Sequence, residues 1–394
     1  MQSLRAPLSA LPRRASPSSL ASPSRRAFCT SPSCSAAAGK IGKVSRPARK
    51  TPVRLEAPAL KRGSSMIDGA PQTELIAALA KVPGVRARPT LVNEEAAREL
   101  VRAWGVDKMH DAVVVDTWAG PGGLTRAFLE LPNVKKVIAL EDAHRYGPML
   151  DKLKEEHGDR FERVNNEPFL WESYTEAEKH FGDLVPKRPF DEVHPNLFLS
   201  AQLPNNTYGN LMFVQMLSAA AGEMWLYQYG RISMGFLGAE SLWDKVNAAP
   251  GEPAHHKLSV LIPSLGTVSR VGTMSNFRPP SAFFHKPRGD PGMFAAVKVV
   301  PHAKPLVQNY EALEYITRNM FVTKAVPWHK ALTSVCPGAS NLIPKAMEAG
   351  ITDTKKTVSQ LSLNEWVILA DIFEDWAFRP ATLFDAMEWN EERI

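Results

Sequence analysis

The chain has 394 residues, 44% of them apolar and 22% charged, with a formal net charge of +6. That is enough for two or three domains and a sizeable core. No apolar run reaches the about 20 residues that a membrane-spanning helix needs, and Cys29, Cys34 and Cys336 are too few and too scattered for a disulfide framework or a zinc site, which fits a reducing compartment.

The charge is unevenly placed. Residues 1–64 hold 13 Lys and Arg against one acid, Glu56, so the rest of the chain is net acidic and the global balance is no argument for nucleic-acid binding. Within that acidic body, His256 to Lys345 holds 11 Lys and Arg against 3 acids. A basic segment on an acidic body is the more specific hint of a polyanionic partner.

Residues 1–40 are rich in Ser, Ala, Pro and Arg and contain no Asp or Glu, the composition of an organellar transit peptide, with Arg26-Ala27-Phe28 before Cys29-Thr30-Ser31 as a candidate processing site. A disordered basic tail without a targeting role is the plainer alternative. Residues 41–64 read as a disordered extension, and Met66 to Arg88 as a short amphipathic segment leading into Thr90-Leu91-Val92. From Asn93, a plausible N-cap, apolar Ala96, Ala97, Leu100, Val101 and Trp104 recur at helical spacing.

Val113-Val114-Val115-Asp116 then predicts a buried strand, broken by the glycine loop Gly120-Pro121-Gly122-Gly123 and restarting as a helix over Leu124 to Leu131. A strand, glycine turn and helix leave free backbone N–H groups and room for a ligand. Val137 to Glu141 predicts a second strand ending in an acid that could meet a ribose. Pro121 lacks the N–H that a dinucleotide turn aims at pyrophosphate, and Thr125 stands where the third glycine of Gly-x-Gly-x-x-Gly belongs. These features favour S-adenosylmethionine while leaving open a nicotinamide or flavin cofactor, or an ordinary junction with no ligand.

Asp142 to His157 is helical in pattern. Phe161 to Val164 is a third strand, followed by Asn165-Asn166-Glu167-Pro168-Phe169. Residues 171–192 suggest helix and loop, and Asn196 to Leu203 a fourth strand ending in Gln202-Leu203-Pro204-Asn205. An apolar helix over Leu211 to Ala221 and a fifth strand over Glu223 to Tyr229 complete the alternation of a parallel sheet covered on both faces. Leu258 to Ile262, Val268 to Val271 and Ala295 to Val300 read as strands forming an antiparallel edge, with Phe277-Arg278-Pro279-Pro280 between two of them. Beyond Tyr310 the spacing is helical over Leu313 to Phe321, Trp328 to Val335, Asn341 to Ala349 and Asn364 to Phe373.

At the end of the fourth strand, amino-methyltransferases carry Asn/Asp-x-Pro-aromatic. There a side-chain amide and a carbonyl accept the two amine hydrogens of a flipped base, and the ring stacks on it. Here Gln202 is one methylene longer, Asn205 cannot stack, and Tyr208 is the nearest aromatic. A loop with no catalytic role is the alternative. Trp104, Trp118, Trp225 and Trp366 read as core, with Trp118 close enough to the glycine loop to narrow a pocket.

Taken in order, Leu91-Val92-Asn93, Gly-Pro-Gly-Gly-Leu-Thr, Glu141, Gln-Leu-Pro-Asn, Phe-Arg-Pro-Pro, Thr317 to Phe321 and Leu361 to Trp366 resemble the ribosomal RNA adenine N6,N6-dimethyltransferase family over about residues 89–376. The resemblance is strongest to its mitochondrial transcription factor B branch, in fungal form. It implies a doubly wound, Rossmann-like class I methyltransferase sheet with antiparallel edge strands at 65–305 and a small all-α domain at 306–394. By position, Leu91, Asp116, Gly120, Gly122, Glu141, Glu167 and Gln202 would line an S-adenosylmethionine pocket. Gln202, Pro204 and Asn205 would form a degenerate catalytic motif. Phe277, Arg278, Lys286, Arg288, Arg318, Lys324 and Lys330, with Lys298 and Lys304 nearby, would follow a nucleic-acid backbone. A solvated basic face is the other account of these cations. The resemblance implies two functions. One is a monomeric initiation factor of the mitochondrial matrix that works with the mitochondrial RNA polymerase on a melted promoter strand. The other is an active dimethyltransferase of small-subunit ribosomal RNA; neither requires a membrane.

Overall fold

The computed structural model describes residues 90–271, 283–284, 294–380 and 383. The predicted transit peptide (1–40), the predicted basic extension (41–64), the 66–88 segment and the Phe277, Arg278, Lys286 and Arg288 group all lie outside these residues. The strands are β1 (Thr90–Leu91), β2 (Ala112–Thr117), β3 (Val134–Leu140), β4 (Phe161–Val164), β5 (Val193–Gln202), β6 (Arg231–Ala239), β7 (Gly266–Val271), β8 (Phe283–Phe284) and β9 (Phe294–Pro301). The helices are α1 (Glu94–Ala103), α2 (Gly123–Leu129), α3 (Gly147–His157), α4 (Trp171–Phe181), α5 (Thr207–Ala221), α6 (Glu240–Asn247) and α7 (Lys257–Leu265). They continue with α8 (Tyr310–Met320), α9 (Trp328–Leu332), α10 (Leu342–Glu348) and α11 (Leu363–Glu374).

Seven strands form one sheet in the order β4-β3-β2-β5-β6-β9-β7. The first five run parallel, and β9 and then β7 add antiparallel. β2 sits in the middle of the five parallel strands with all six residues buried, because helices cover both faces and no residue of a central parallel strand can reach water. The order reverses beside β2, which places the ligand crevice of this architecture at the carboxyl ends of β2 and β5. β1 pairs with β8 instead. The doubly wound sheet with an antiparallel edge and a helical carboxyl-terminal region is therefore as the sequence pattern implied.

Two predicted strands are corrected. Glu223 to Tyr229 is not the fifth strand: Trp225–Tyr229 is a 3-10 turn, and the strand follows as β6. Two of the nine residues of β6, Gly235 and Gly238, are glycine. Gly235 is where the Trp104 indole crosses the sheet: a Cβ there would lie 2.5 Å from the ring, while Trp104 Nε1 donates to the Val297 carbonyl at 3.0 Å. The glycine makes room for the ring.

Leu258 to Ile262 is likewise helix, within α7. His256 and Ser259 close a capping box at its start. The short apolar run looked strand-like because α7 is buried nearly all round, so it shows no polar face. Leu258, Ile262 and Leu265 pack into the sheet's core, whereas Val260 and Leu261 join the cluster around Trp328 and Trp366 in the helical region. No helix among the described residues is long and apolar enough to cross a membrane.

β5 starts on a buried histidine. His194 Nδ1 accepts the N–H groups of Asn196 and Leu197 at 3.1 and 3.0 Å, so the proton sits on Nε2 and is donated to the Pro186 carbonyl at 2.9 Å. Burial lowers the pKa of this ring, and the fold therefore requires the neutral form.

Two outcomes follow. Gly235→Ala should lower the unfolding free energy by about 1–3 kcal/mol through overpacking against Trp104; an unchanged urea midpoint would contradict this packing. A histidine whose pKa falls on folding stabilises fully above its unfolded value of about 6.5, and that contribution drains as pH drops through the window below it. Unfolding free energy should thus be smaller at pH 5 than at pH 7.5. The difference should shrink, without vanishing, in His194→Gln, because His157, His255 and His256 are shifted the same way by burial.

Candidate functional site

The carboxyl ends of β2, β3 and β5 meet β1 and the glycine loop, and here the predicted cofactor residues come together. Asp116, fully buried near the end of β2, accepts the Thr125 hydroxyl of α2 at 2.6 Å and the Ser200 hydroxyl of β5 at 2.5 Å. Its carboxylate holds strand, helix and neighbouring strand together.

Glu141, just past β3, accepts the Gly120 N–H at 2.7 Å on one oxygen and the Ala143 N–H at 3.1 Å on the other. Gln202 ends β5 with its amide spanning the site. Its Oε1 accepts the Leu91 N–H at 2.9 Å, and its Nε2 donates to the Ala119 carbonyl at 3.4 Å. Leu91, Gly120, Glu141 and Gln202 are thus joined through their own hydrogen bonds.

The loop glycines have partners of the same kind. Gly120 and Gly122 take φ values of +61° and +86°, which glycine alone adopts freely. A Cβ at Gly120 would lie 3.0 Å from the Thr90 methyl, at Gly122 2.6 Å from Leu153, and at Gly123 2.5 Å from the Leu91 carbonyl. The loop is thus packed closely against β1 and α3. The carboxylate that would hold a ribose is engaged on both oxygens and has no exposed surface. In this conformation the acid at the end of β3 is closed off by backbone N–H groups of the loop and of the turn that follows it.

Trp118 fills out this closure. It has φ +52°, a left-handed conformation that a bulky residue adopts only when its surroundings over-determine it, and only 3% of its surface is exposed. Its ring lies 5.9 Å from that of Tyr208, which stacks on Phe169 at 4.5 Å and 25°. Three aromatics from three segments therefore cross the crevice. Tyr208 Oη also donates to Glu167 at 3.2 Å. The Glu167 carboxyl is raised by burial and by the neighbouring Asp142 carboxylate, which favours its neutral form.

The aromatic partnership is what sequence reasoning passed over. Tyr208 stands three residues beyond Asn205, yet the turn into α5 returns its ring to Phe169. Pro204 and Asn205 lie elsewhere, on the rim of a cavity facing α6. Trp171, two residues past Phe169, opens α4 and is 57% exposed; the two aromatics so close after a strand end were the signal in the sequence.

The predicted basic track is only partly assembled. Lys298 points into the protein, donating to the Trp104 carbonyl at 2.7 Å, and burial lowers its pKa. Lys324 donates to the Pro253 carbonyl at 3.1 Å, and Arg318 lies over the Tyr315 ring. Lys304 and Lys330 are exposed. Among the described residues, no group of three or more His, Cys, Asp and Glu could hold a metal ion.

Comparison with known proteins agrees with this architecture. The chain is 26% identical over 307 residues to mitochondrial transcription factor 1 of Lachancea kluyveri, covering 72% of this chain and 87% of that protein. It is 24% identical over 331 residues to the human mitochondrial dimethyladenosine transferase 1, covering 80% and 91%. The crystal structure of a dimethyladenosine transferase from Plasmodium falciparum shares the fold, with a TM-score of 0.51 at 16% identity, covering 71% of this chain and 95% of that one. Residues 90–375 match the ribosomal RNA adenine dimethylase family, and with its sheet, glycine loop and terminal helices aligned over most of its length, the chain belongs to that family.

Proposed function

We propose that this protein is a mitochondrial transcription initiation factor, built on the dimethylase scaffold and acting with the mitochondrial RNA polymerase on melted promoter DNA in the matrix. The observation that carries this reading is the Gln202 amide, bonded at both ends within the protein. The group standing where an amine acceptor is needed serves to join β1 to the glycine loop. A scaffold whose reactive groups are turned inward can still bind. Phe169 and Tyr208 stack at the crevice mouth, and the indole of Trp171 is open to solvent. Aromatic faces of this kind hold unpaired bases at about 1–3 kcal/mol each with little sequence preference. The similarity to the yeast transcription factor supports the same reading.

A second reading, an active dimethyltransferase of small-subunit ribosomal RNA using S-adenosylmethionine, draws on the retained loop geometry at Gly120 and Gly122 and on the similarity to the dimethyladenosine transferases. On that reading the amide of Gln202 and the indole of Trp118 would have to move aside for the reaction.

Run-off transcription from a mitochondrial promoter separates the readings. Specific transcripts should need both polymerase and this protein, and equal initiation without it would overturn the factor. With tritiated S-adenosylmethionine and unmethylated small ribosomal subunits, no label above background is expected; incorporated label would establish the enzyme.

Calorimetric titration tests the closed crevice separately. The wild-type chain should give no binding heat with S-adenosylmethionine, and Trp118→Gly should give measurable heat, since glycine adopts φ +52° without strain and vacates the indole's volume. The lost burial should cost about 3–5 kcal/mol of stability, so a melting curve belongs beside the titration. Tight wild-type binding would contradict the closure.

A further inference from the structure

A cavity of about 230 Å³ opens at the carboxyl edge of the sheet, between the exits of β5 and β6. Leu203 and Pro204 leave β5 along one wall, the first turn of α5 supplies Thr207 and Asn210, and Ser241 and Lys245 come from α6. The volume is below the about 300 Å³ at which small-molecule sites begin, which leaves room for a backbone phosphate and its sugar rather than a whole cofactor.

The charge balance of the cavity is set by helix geometry. Glu240 and Asp244, four residues apart on α6, share one face and both pair with Arg270, at 2.5 and 3.1 Å. Ser241 and Lys245 are the next such pair along the helix, and both line the cavity. Lys245 is the only charged residue in the lining and makes no ion pair among the described residues. Asn206 also lines the cavity, but its side chain caps the Gly209 N–H at 3.1 Å. Asn205, Asn210, Thr207 and Ser241 are the polar groups left to a ligand. The wall is firm, because a Cβ at Gly209 would overlap the Pro204 carbonyl; α5 and the β5 exit are in direct backbone contact.

We propose that this cavity binds a phosphodiester of single-stranded nucleic acid, with Lys245 on the phosphate and the Asn210 and Ser241 side chains on the non-bridging oxygens or the sugar. The inference rests on the nucleic-acid-binding reading above and adds to it a residue-level anchor outside the aromatic crevice. DNA and RNA share the phosphodiester, so both are used as probes.

The test is fluorescence anisotropy of the full chain with a labelled single-stranded DNA oligonucleotide and an RNA of the same sequence, over a salt series. One single-strand phosphate contact contributes about 0.7 to the slope of log affinity against log salt, or about fivefold in affinity at 0.1 M salt. Lys245→Ala should lose that factor and that slope, Lys245→Arg should keep both, and Ser241→Lys should gain a similar increment. Equal losses on the two oligonucleotides support the shared phosphodiester, and a loss on one alone supports the cavity for that nucleic acid. Unchanged affinity and slope in Lys245→Ala and Ser241→Lys, with the wild type binding normally, would overturn the cavity assignment while leaving the broader reading intact. A wild-type chain that binds neither oligonucleotide would overturn both.

Discussion

The buried carboxylate of Asp116 is the constraint on which the site depends. It accepts two short hydroxyl bonds, from Thr125 on α2 and Ser200 on β5, in a fully buried place. Hydrogen bonds to charged groups are worth about 1.5–3 kcal/mol, and leaving such a group unsatisfied costs more than the bond contributes. The helix after the glycine loop is therefore tied to the centre of the sheet. The loop must span a fixed distance, which its left-handed residues Trp118, Gly120 and Gly122 accomplish.

Once that span is set, the other polar groups at the sheet's edge are drawn into it. Glu141 holds the loop from one side and the Gln202 amide from the other. Backbone N–H and carbonyl groups occupy their polar atoms. The glycines are required because Thr90, Leu91 and Leu153 approach the loop where a Cβ would stand. A Trp side chain at φ +52° is a strained choice that persists because the stack through Tyr208 to Phe169 surrounds it.

The helical region is joined to the sheet through α7, whose two sides belong to different cores. Its own termini are firmly made. α11 starts with a capping box between Ser362 and Glu365, and Lys356 reaches the same Glu365 carboxylate at 2.7 and 2.9 Å. The sheet's core and the helical region's core thus share α7 as a common buried element.

Much of the fold was legible along the chain. Val113 to Val115 could only be a buried strand, Phe161 to Val164 was bounded correctly, and Asn93 did cap its helix. These are local matters of period, capping and turn chemistry, which neighbouring residues decide. The two errors, at Tyr229 and at Leu258, fell where burial on every side erased the period and where Gly235 answers to Trp104, more than a hundred residues away. The site divided in the same way. Gly120, Glu141 and Gln202 could be picked out from residue type and position, because chemistry restricts which residues stand at strand ends. What they bond to could not, since each partner, Leu91 to Gln202 above all, is brought near only by the sheet. Residue types thus announced a cofactor site; the paths of the backbone decided that its hydrogen bonds are made within the protein.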